Sequence, residues 1–205
     1  YFHDPTIQAN IRASKEEQFQ EGFLRELFVK ILGYTINPEP DFNLTTEIKN
    51  AKNAKKTDGA ILDSAGSALA VIELKGTDTK DLDKVNDQAF SYKNNQENCK
   101  YVITSNFEKL RFFIHNAIDY EEFSLFQLDY ARFQLLWLFL QKDNLLSNIP
   151  ESIKKDSLVE EERVTKKLYK DYTTFKYALW QNLVKNNKQW DELTLFKKSQ
   201  KLLDR

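Results

Sequence analysis

Two short apolar segments of this chain carry charged residues where buried strands are expected. Residues 57–62 read TDGAIL, and residues 70–76 read AVIELKG. Charges are costly to bury without partners, so the fold has to bring such partners together. Residues two apart in a strand point to the same face, and Glu73 and Lys75 therefore project together. If the strand that begins near Asp58 pairs beside them, two carboxylates and an ammonium group meet on one patch of the sheet.

The composition predicts a folded protein without a membrane span. Of the 205 residues, 41% are hydrophobic and 13% aromatic, which supports a core, whereas 30% are charged. No apolar run approaches the roughly 20 residues that a membrane helix needs. The single cysteine, Cys99, excludes an internal disulfide framework and predicts a cytoplasmic location. The net charge of −1 neither requires nor forbids a nucleic-acid partner.

Hydrophobic periodicity predicts an α/β fold in the first part of the chain. A helix is predicted over 14–33, with Ser14 as its N-cap and Glu17 as the capping-box partner. Strands are predicted at 43–49, 57–63, 68–75, 100–105 and 109–115, with a second helix at 81–95. This order predicts a mixed central sheet flanked by helices.

The remainder of the chain is predicted to be helical. The predicted elements are an apolar helix over 126–146 closed by Pro150, a long helix from Ser157 to about Asn186, and a further helix over 190–203. We therefore expect two parts, a domain over 1–125 and an all-helical connector over 126–205.

The charged residues of the two strands suit a hard divalent cation. Mg²⁺ prefers oxygen ligands and keeps several waters, so Asp58, Glu73 and the carbonyl of Leu74 form an adequate site, in which Mn²⁺ can substitute. Such a metal activates water and neutralises charge on a phosphate, while Lys75 can orient the water or stabilise the transition state. This chemistry is phosphodiester hydrolysis. The alternative is a surface ion pair, since residues 47–49 (EIK) repeat the spacing without a preceding acid-bearing strand.

These residues resemble the PD-(D/E)XK nuclease superfamily. The match consists of the strand with Asp58, the strand with residues 73–75, and the flanking helices. On the next helix Gln88 and Tyr92 stand at i and i+4, and they resemble the Gln-x-x-x-Tyr motif of type I restriction motor subunits, RecB-like enzymes and type IIG restriction enzymes. The resemblance implies that both residues position DNA near the metal. The alternative is an ordinary amphipathic helix with Phe90 or Tyr92 in the core.

The resemblance also implies that the first helix donates a glutamate to the metal site. Glu21 is the favoured candidate, and Glu17, one turn earlier, is the alternative. A lysine-rich turn before Asp58 contains further candidates for phosphate contacts, with a solvated turn as the alternative reading; its lysines are Lys49, Lys52, Lys55 and Lys56.

Segments 19–34 and 101–106 are similar to type IIG restriction-modification polypeptides, in which a helical connector joins the nuclease to an adenine methyltransferase and a target-recognition domain. The chain contains no Asn-Pro-Pro-Tyr motif and no glycine-rich cofactor loop, so S-adenosylmethionine is expected only in a methyltransferase region outside it. The resemblance implies the N-terminal, Mg²⁺-dependent endodeoxyribonuclease head of a larger enzyme that cuts double-stranded DNA. The alternative is a catalytically silent nuclease-fold module that binds DNA or regulates a larger complex.

Overall fold

The computed structural model describes residues 1–47, 56–96 and 98–186, except the side chains of Leu183 and Val184. Its contacts divide the chain into two compact units, Tyr1–Ile153 and Lys154–Arg205. No helix in the described ranges is both long enough and apolar enough to cross a membrane.

The first unit contains a sheet of six strands with helices before, within and after it. The strands are β1 (Leu44–Thr45), β2 (Gly59–Leu62), β3 (Ala68–Leu74), β4 (Tyr101–Ser105), β5 (Lys109–Ile114) and β6 (Tyr120–Ser124). The α-helices of the described chain are α1 (Pro5–Ala13), α2 (Glu16–Phe23), α3 (Asp83–Lys93), α4 (Tyr130–Leu140), α5 (Lys142–Leu146) and α6 (Ile149–Asn186). A π-helical segment, Leu24–Ile31, continues α2, and a 3₁₀ turn, Leu125–Gln127, precedes α4.

The strands lie in chain order across the sheet, from β1 to β6. All neighbouring pairs are antiparallel except β3 and β4, which are parallel. A parallel pair needs a crossover connection, and α3 supplies it. The sheet is therefore mixed, as the sequence predicted, and α3 is carried onto one face of β3 and β4.

Alternation along the strands separates two hydrophobic cores. On one face, Ile72, Leu74 and Ile103 pack with residues of α2, α4 and α5 in the larger core. On the opposite face, Val71 and Val102 pack with residues of α3 in the smaller core. Glu73 lies on β3 between these apolar positions, so its carboxylate is held within a sheet that is covered on both sides.

The N-terminal region differs from its prediction because two helices occupy it. Asp4 caps α1 by accepting from Thr6 N at 2.8 Å, and Ser14 is the C-cap of α1 instead of the N-cap of the next helix. Helix α2 begins at Glu16, after Lys15. Lys15 is the N-cap of α2, and its capping-box partner is Gln18, whose Oε1 accepts from Lys15 N at 2.9 Å, so the predicted capping box of Ser14 and Glu17 is wrong.

The predicted apolar helix over 126–146 is interrupted at Gln141, whose backbone is extended. The Gln141 side chain caps α5 by accepting from Asp143 N at 3.0 Å and from Asn144 N at 3.1 Å. Pro150 stands in the first turn of α6, where its missing N–H costs no helical hydrogen bond, instead of closing a helix. Ser157 consequently lies inside α6 and does not begin it.

Helices α4 and α5 contribute Leu136, Leu140 and Leu145 to the larger core. The first compact unit accordingly extends to Ile153. The boundary at residue 125 stays a prediction about domains. Strand β6, which pairs with β5, was not predicted. Some predicted features lie outside the described residues. They are the end of the first predicted strand, the lysines Lys49, Lys52 and Lys55, and the helix over 190–203.

Removal of a core aromatic ring should separate buried from exposed positions. Phe28 is fully buried, with its ring 6.4 Å from that of Phe23 and 5.8 Å from that of Tyr34. We expect Phe28→Ala to lower the free energy of unfolding by about 3–5 kcal/mol because it leaves a cavity. Phe175→Ala is the matched control, since Phe175 is 63% exposed, and should change it by less than about 0.5 kcal/mol. Equal effects in urea unfolding would contradict the assigned core.

Candidate active site

Pairing of β2 with β3 places Asp58 beside the end of β3. Gly59 pairs with Ile72, so the residue before Gly59 lies next to Glu73 on the neighbouring strand. The Asp58 carboxylate accepts from the backbone N–H of Leu74 at 2.7 Å. This hydrogen bond fixes one carboxylate at the point where β3 ends. The pairing of the two charged segments was predicted from the sequence, whereas this hydrogen bond was not.

The Glu73 carboxylate is almost completely buried, with the residue only 1% exposed. Its Oε1 accepts from Lys75 Nζ at 3.1 Å and also from Gln88 Nε2. Its Oε2 is buried and accepts no hydrogen bond from the residues that the structure describes. A buried carboxylate oxygen without a donor is costly, so this atom is suited to bind a cation.

The Lys75 ammonium lies among three oxygen atoms at the end of β3. Besides Glu73 Oε1, its Nζ donates to the carbonyl of Leu74 at 3.0 Å and to Glu16 Oε1 at 3.2 Å. The other oxygen of Glu16 accepts from Gly76 N at 3.3 Å. Glu16 therefore connects the first turn of α2 to the backbone and the side chain that follow Glu73.

The glutamate that α2 brings to this cluster is Glu16, whereas Glu21 was predicted. The Glu21 side chain is 62% exposed and pairs with Arg25 at 2.9 Å, one turn along the helix. Glu17, the alternative, is exposed as well. The structure therefore does not bring Glu21 to Asp58, Glu73 and Lys75, because α2 presents its first turn to them.

Sequence reasoning also missed Gln20. Its Nε2 donates to Glu16 Oε1 at 3.3 Å. Burial raises the pKa of Asp58, and the Gln20 side chain acts against that shift. Two signals were present in the sequence. Glu21 and Arg25 have the i, i+4 spacing of a surface ion pair. Glu16 and Gln20 stand eight and four residues before the buried Leu24, which places them on the same side of the helix.

The predicted pair on α3 meets the cluster through Gln88. Gln88 Nε2 donates to Glu73 Oε1 and to the hydroxyl of Tyr92, the latter at 3.1 Å. Tyr92 is 4% exposed and belongs to the smaller core, which agrees with the alternative reading of this residue. Gln88 is thus placed beside the carboxylate, and Tyr92 supports the Gln88 side chain from the core. A role of either residue in positioning DNA stays a prediction.

Burial, together with repulsion by neighbouring carboxylates, raises the pKa of both strand carboxylates. Burial, followed by the charge of Asp58, raises the pKa of Glu73 to about 7. Burial also raises the pKa of Asp58, against the hydrogen bond from Leu74 N and the charge of Lys75. Burial lowers the pKa of Lys75, but the charge of Glu73, the hydrogen bonds to Glu73 and Glu16 and the charge of Asp58 together outweigh burial, so the net shift of this pKa is upward. One ammonium thus compensates the neighbouring carboxylates only in part, and a further cation would be stabilised here.

The donor atoms fit a hard cation such as Mg²⁺. They are carboxylate oxygens of Asp58 and Glu73 and the carbonyl oxygen of Leu74, the oxygen ligands that this ion prefers. Within the described ranges, no three side chains of His, Cys, Asp or Glu form a complete metal-binding group. Backbone oxygen and water would therefore complete the coordination. Of the predicted phosphate-contacting lysines, Lys56 is described, and it pairs with Glu47.

Comparison with protein families matches residues 15–125, more than half of the 205-residue chain, to the type I restriction enzyme R protein N terminus. The chain belongs to this family. The matched region contains every residue of the cluster around Glu73 and ends just after β6. Searches of curated proteins and of solved structures found no match.

Membership in the R protein N-terminal family makes this a nuclease-type domain of a restriction enzyme, and it implies DNA as the substrate. It agrees with the resemblance to type I restriction subunits. The type IIG assignment and the fused methyltransferase region stay predictions.

The raised pKa of Glu73 predicts how stability depends on pH. Its ordinary value is 4.5 and its value in the folded protein is about 7, so between these values the folded state binds more protons than the unfolded state. Stability should therefore fall as pH rises through this window. The Glu73→Gln variant lacks the titrating carboxylate and should not lose stability in this way. The free energy of unfolding of the variant minus that of wild type should therefore increase by up to about 3 kcal/mol as the pH rises from 4 to 8.

Urea unfolding at a series of pH values measures this effect. Glu21→Gln is the matched control, since Glu21 is exposed and paired on the surface. Parallel pH profiles for wild type and Glu73→Gln would contradict the assigned burial of this carboxylate.

Proposed function

We propose that this chain is a Mg²⁺-dependent endodeoxyribonuclease domain of the PD-(D/E)XK type, the cleavage head of a restriction enzyme. The observation that carries the proposal is the convergence of Asp58, Glu73, Lys75 and the Leu74 carbonyl at the paired ends of β2 and β3. These groups can support metal-assisted hydrolysis of a phosphodiester, and they lie in a domain of a restriction-enzyme family.

Asp58, Glu73 and the carbonyl of Leu74 would hold the cation, with Mg²⁺ as the expected ion and Mn²⁺ as a substitute. When bound, such an ion supplies Lewis acidity, lowers the pKa of coordinated water and neutralises charge on the phosphate. The buried Glu73 Oε2, which accepts no hydrogen bond within the described part of the chain, supports this assignment.

The protein groups around the carboxylates have separate roles. Gln88 donates to Glu73 Oε1 and limits rotation of that carboxylate. The other oxygen, Oε2, is thereby left for the cation. The Lys75 side chain is 24% exposed, so its ammonium can contact solvent and a phosphate oxygen while it stays near Glu73. In this position Lys75 orients the attacking water or stabilises charge that develops on the phosphate.

Glu16 has two roles in this proposal. Its carboxylate accepts from both Lys75 Nζ and Gly76 N, so it restrains the lysine and the chain that follows β3. It also adds a third negative charge close to Asp58 and Glu73. That charge strengthens the attraction for a divalent cation, since nearby opposite charges stabilise each other most where water is partly excluded.

Cleavage should depend on each strand residue of the cluster. In a restriction enzyme that contains this chain, we expect Asp58→Asn, Glu73→Gln and Lys75→Ala each to reduce cleavage of plasmid DNA by at least about 100-fold. Glu21→Gln should leave cleavage unchanged. Cleavage that survives all three substitutions would rule out this site, whereas a wild type that neither binds Mn²⁺ nor cuts DNA would favour the catalytically silent module.

The role of Glu16 can be tested without catalysis. We expect Glu16→Gln to weaken Mn²⁺ binding about tenfold, equivalent to about 1.4 kcal/mol, because a carboxylate is removed from the cluster. Glu21→Gln changes the same residue type, to the same product, on the exposed side of α2 and should bind Mn²⁺ like wild type. Isothermal titration calorimetry measures both. Equal affinities for the two variants would exclude Glu16 from the site.

A further inference from the structure

A row of polar residues crosses the sheet in register with Glu73. Glu73 pairs with Thr104 on β4, Thr104 pairs with Arg111 on β5, and Arg111 pairs with Glu122 on β6. Residues paired in register across neighbouring strands point to the same face of the sheet. We call these four residues the polar row. It runs from the candidate active site on β3 to β6 at one edge of the sheet, and its first three members contact α3.

Helix α3 places three polar side chains over the polar row, and each of them contacts a residue on a different strand. Gln88 contacts Glu73, and the Asn86 side-chain amide lies 2.9 Å from the hydroxyl of Thr104. Asp83, at the start of the helix, accepts from Arg111 Nη1 at 2.6 Å.

Two of these three hydrogen bonds do not involve Glu73, Lys75, Asp58 or Glu16, and the proposed function gives them no role. They join Asn86 to Thr104 and Asp83 to Arg111. Both involve the helix that carries Gln88.

The contact between Asn86 and Thr104 is buried. Thr104 is fully buried and Asn86 is 7% exposed, so loss of either partner would leave a polar group without compensation. When the Asn86 amide is oriented to satisfy both of its ends, its nitrogen donates to Thr104 and to the Leu82 carbonyl at 3.1 Å, and its oxygen accepts from Arg111 Nη1 at 3.2 Å. Asn86 therefore joins two members of the polar row to the start of α3.

Arg111 is held rigidly enough to act as an anchor. Its Nε donates to Glu122 Oε2 at 2.7 Å, and its guanidinium lies 4.5 Å from the ring centre of Tyr120. The side chain is only 13% exposed. A planar guanidinium with these partners has little rotational freedom, so the group it presents to Asp83 and Asn86 is fixed relative to the sheet.

The other half of α3 contacts the sheet through apolar side chains. Ala89 and Tyr92 pack with Val71 and Val102 in the smaller core. Apolar packing is not directional, so it tolerates small shifts of a helix along a sheet. Hydrogen bonds are directional, and the polar contacts are the ones that can determine the rotation and depth of the helix.

We propose that Asn86, Thr104 and Arg111 are positioning residues for the candidate active site. They hold α3 so that the Gln88 amide meets Glu73 Oε1, and thereby orient the carboxylate. The catalytic consequence rests on the proposed nuclease function, whereas the effect on the Gln88–Glu73 contact does not.

The test follows the side-chain amide of Gln88 by ¹⁵N nuclear magnetic resonance. Its signal is assigned by its loss in Gln88→Ala, and Glu73→Ala supplies the position of the signal when the contact is absent. Thr104→Val removes the hydroxyl with almost no change in shape. We expect it to move the Gln88 signal more than half of the way to the Glu73→Ala position.

Val102→Ala is the matched control, on the same strand and the same face, in the apolar half of the contact. It should leave the Gln88 signal near its wild-type position, even if it lowers the free energy of unfolding as much as Thr104→Val does. Arg111→Gln should act like Thr104→Val. Its control is Arg132→Gln, because Arg132 likewise pairs with a glutamate, Glu121 at 3.0 Å, and stacks on an aromatic ring, but not against α3.

A Gln88 signal that stays at its wild-type position in both Thr104→Val and Arg111→Gln would overturn the proposal. The proposal would also be overturned if the shift of the Gln88 signal followed the loss of unfolding free energy equally in all four variants, the two test variants and the two controls. If both test variants fail to fold while their controls fold, the same signal is followed in Asn86→Ser, which shortens the side chain and keeps a hydroxyl.

Calorimetry with Mn²⁺ separates this proposal from the proposed function. We expect Thr104→Val to weaken Mn²⁺ binding about tenfold, and Gln88→Ala in addition to cause little further loss, because both act through one contact. Wild type that binds no Mn²⁺ would contradict the nuclease proposal, and the magnetic resonance result would still decide the positioning proposal. Fully additive losses would overturn positioning through Gln88.

Discussion

The arrangement of this molecule depends on one buried carboxylate, that of Glu73, in the middle of a covered sheet. At 1% exposure it is almost entirely removed from bulk water, so neighbouring groups of the protein have to compensate its charge. Lys75 and Gln88 donate to the same oxygen, and Asp58 is fixed to the adjacent backbone N–H. The second oxygen accepts no hydrogen bond from the described chain, so the negative charge of Glu73 is compensated only in part.

The topology explains how groups distant in sequence reach Glu73. Antiparallel pairing of β2 and β3 delivers Asp58 at the end of β3. The parallel pair of β3 and β4 requires a crossover, and that crossover is α3, which carries Gln88 over the same face. Helix α2 approaches from the side of the larger core, and only its first residue, Glu16, extends past the end of the strand to Lys75 and Gly76.

Local sequence signals located the strands of the site because burial requirements are strong there. Asp58 just before β2, Glu73 near the end of β3 and Lys75 just after β3 stand out against apolar neighbours, and the structure brings these three residues together. The start of α2 was harder to locate, because Ser14 suits both the end of α1 and the beginning of the next helix. Glu21 was expected to join the site, whereas the first turn of α2 brings Glu16 to Lys75 and Gly76.

By itself, the sequence determined the α/β class, the mixed sheet, and the convergence of Asp58, Glu73 and Lys75, since side-chain alternation and charge burial are properties of short segments. It also contained the family relationship over residues 15–125. Tertiary structure alone decided that Glu16 joins the cluster in place of Glu21. It likewise decided that Thr104 and Arg111 stand in register with Glu73, because strand register and helix placement depend on contacts between residues far apart in the chain.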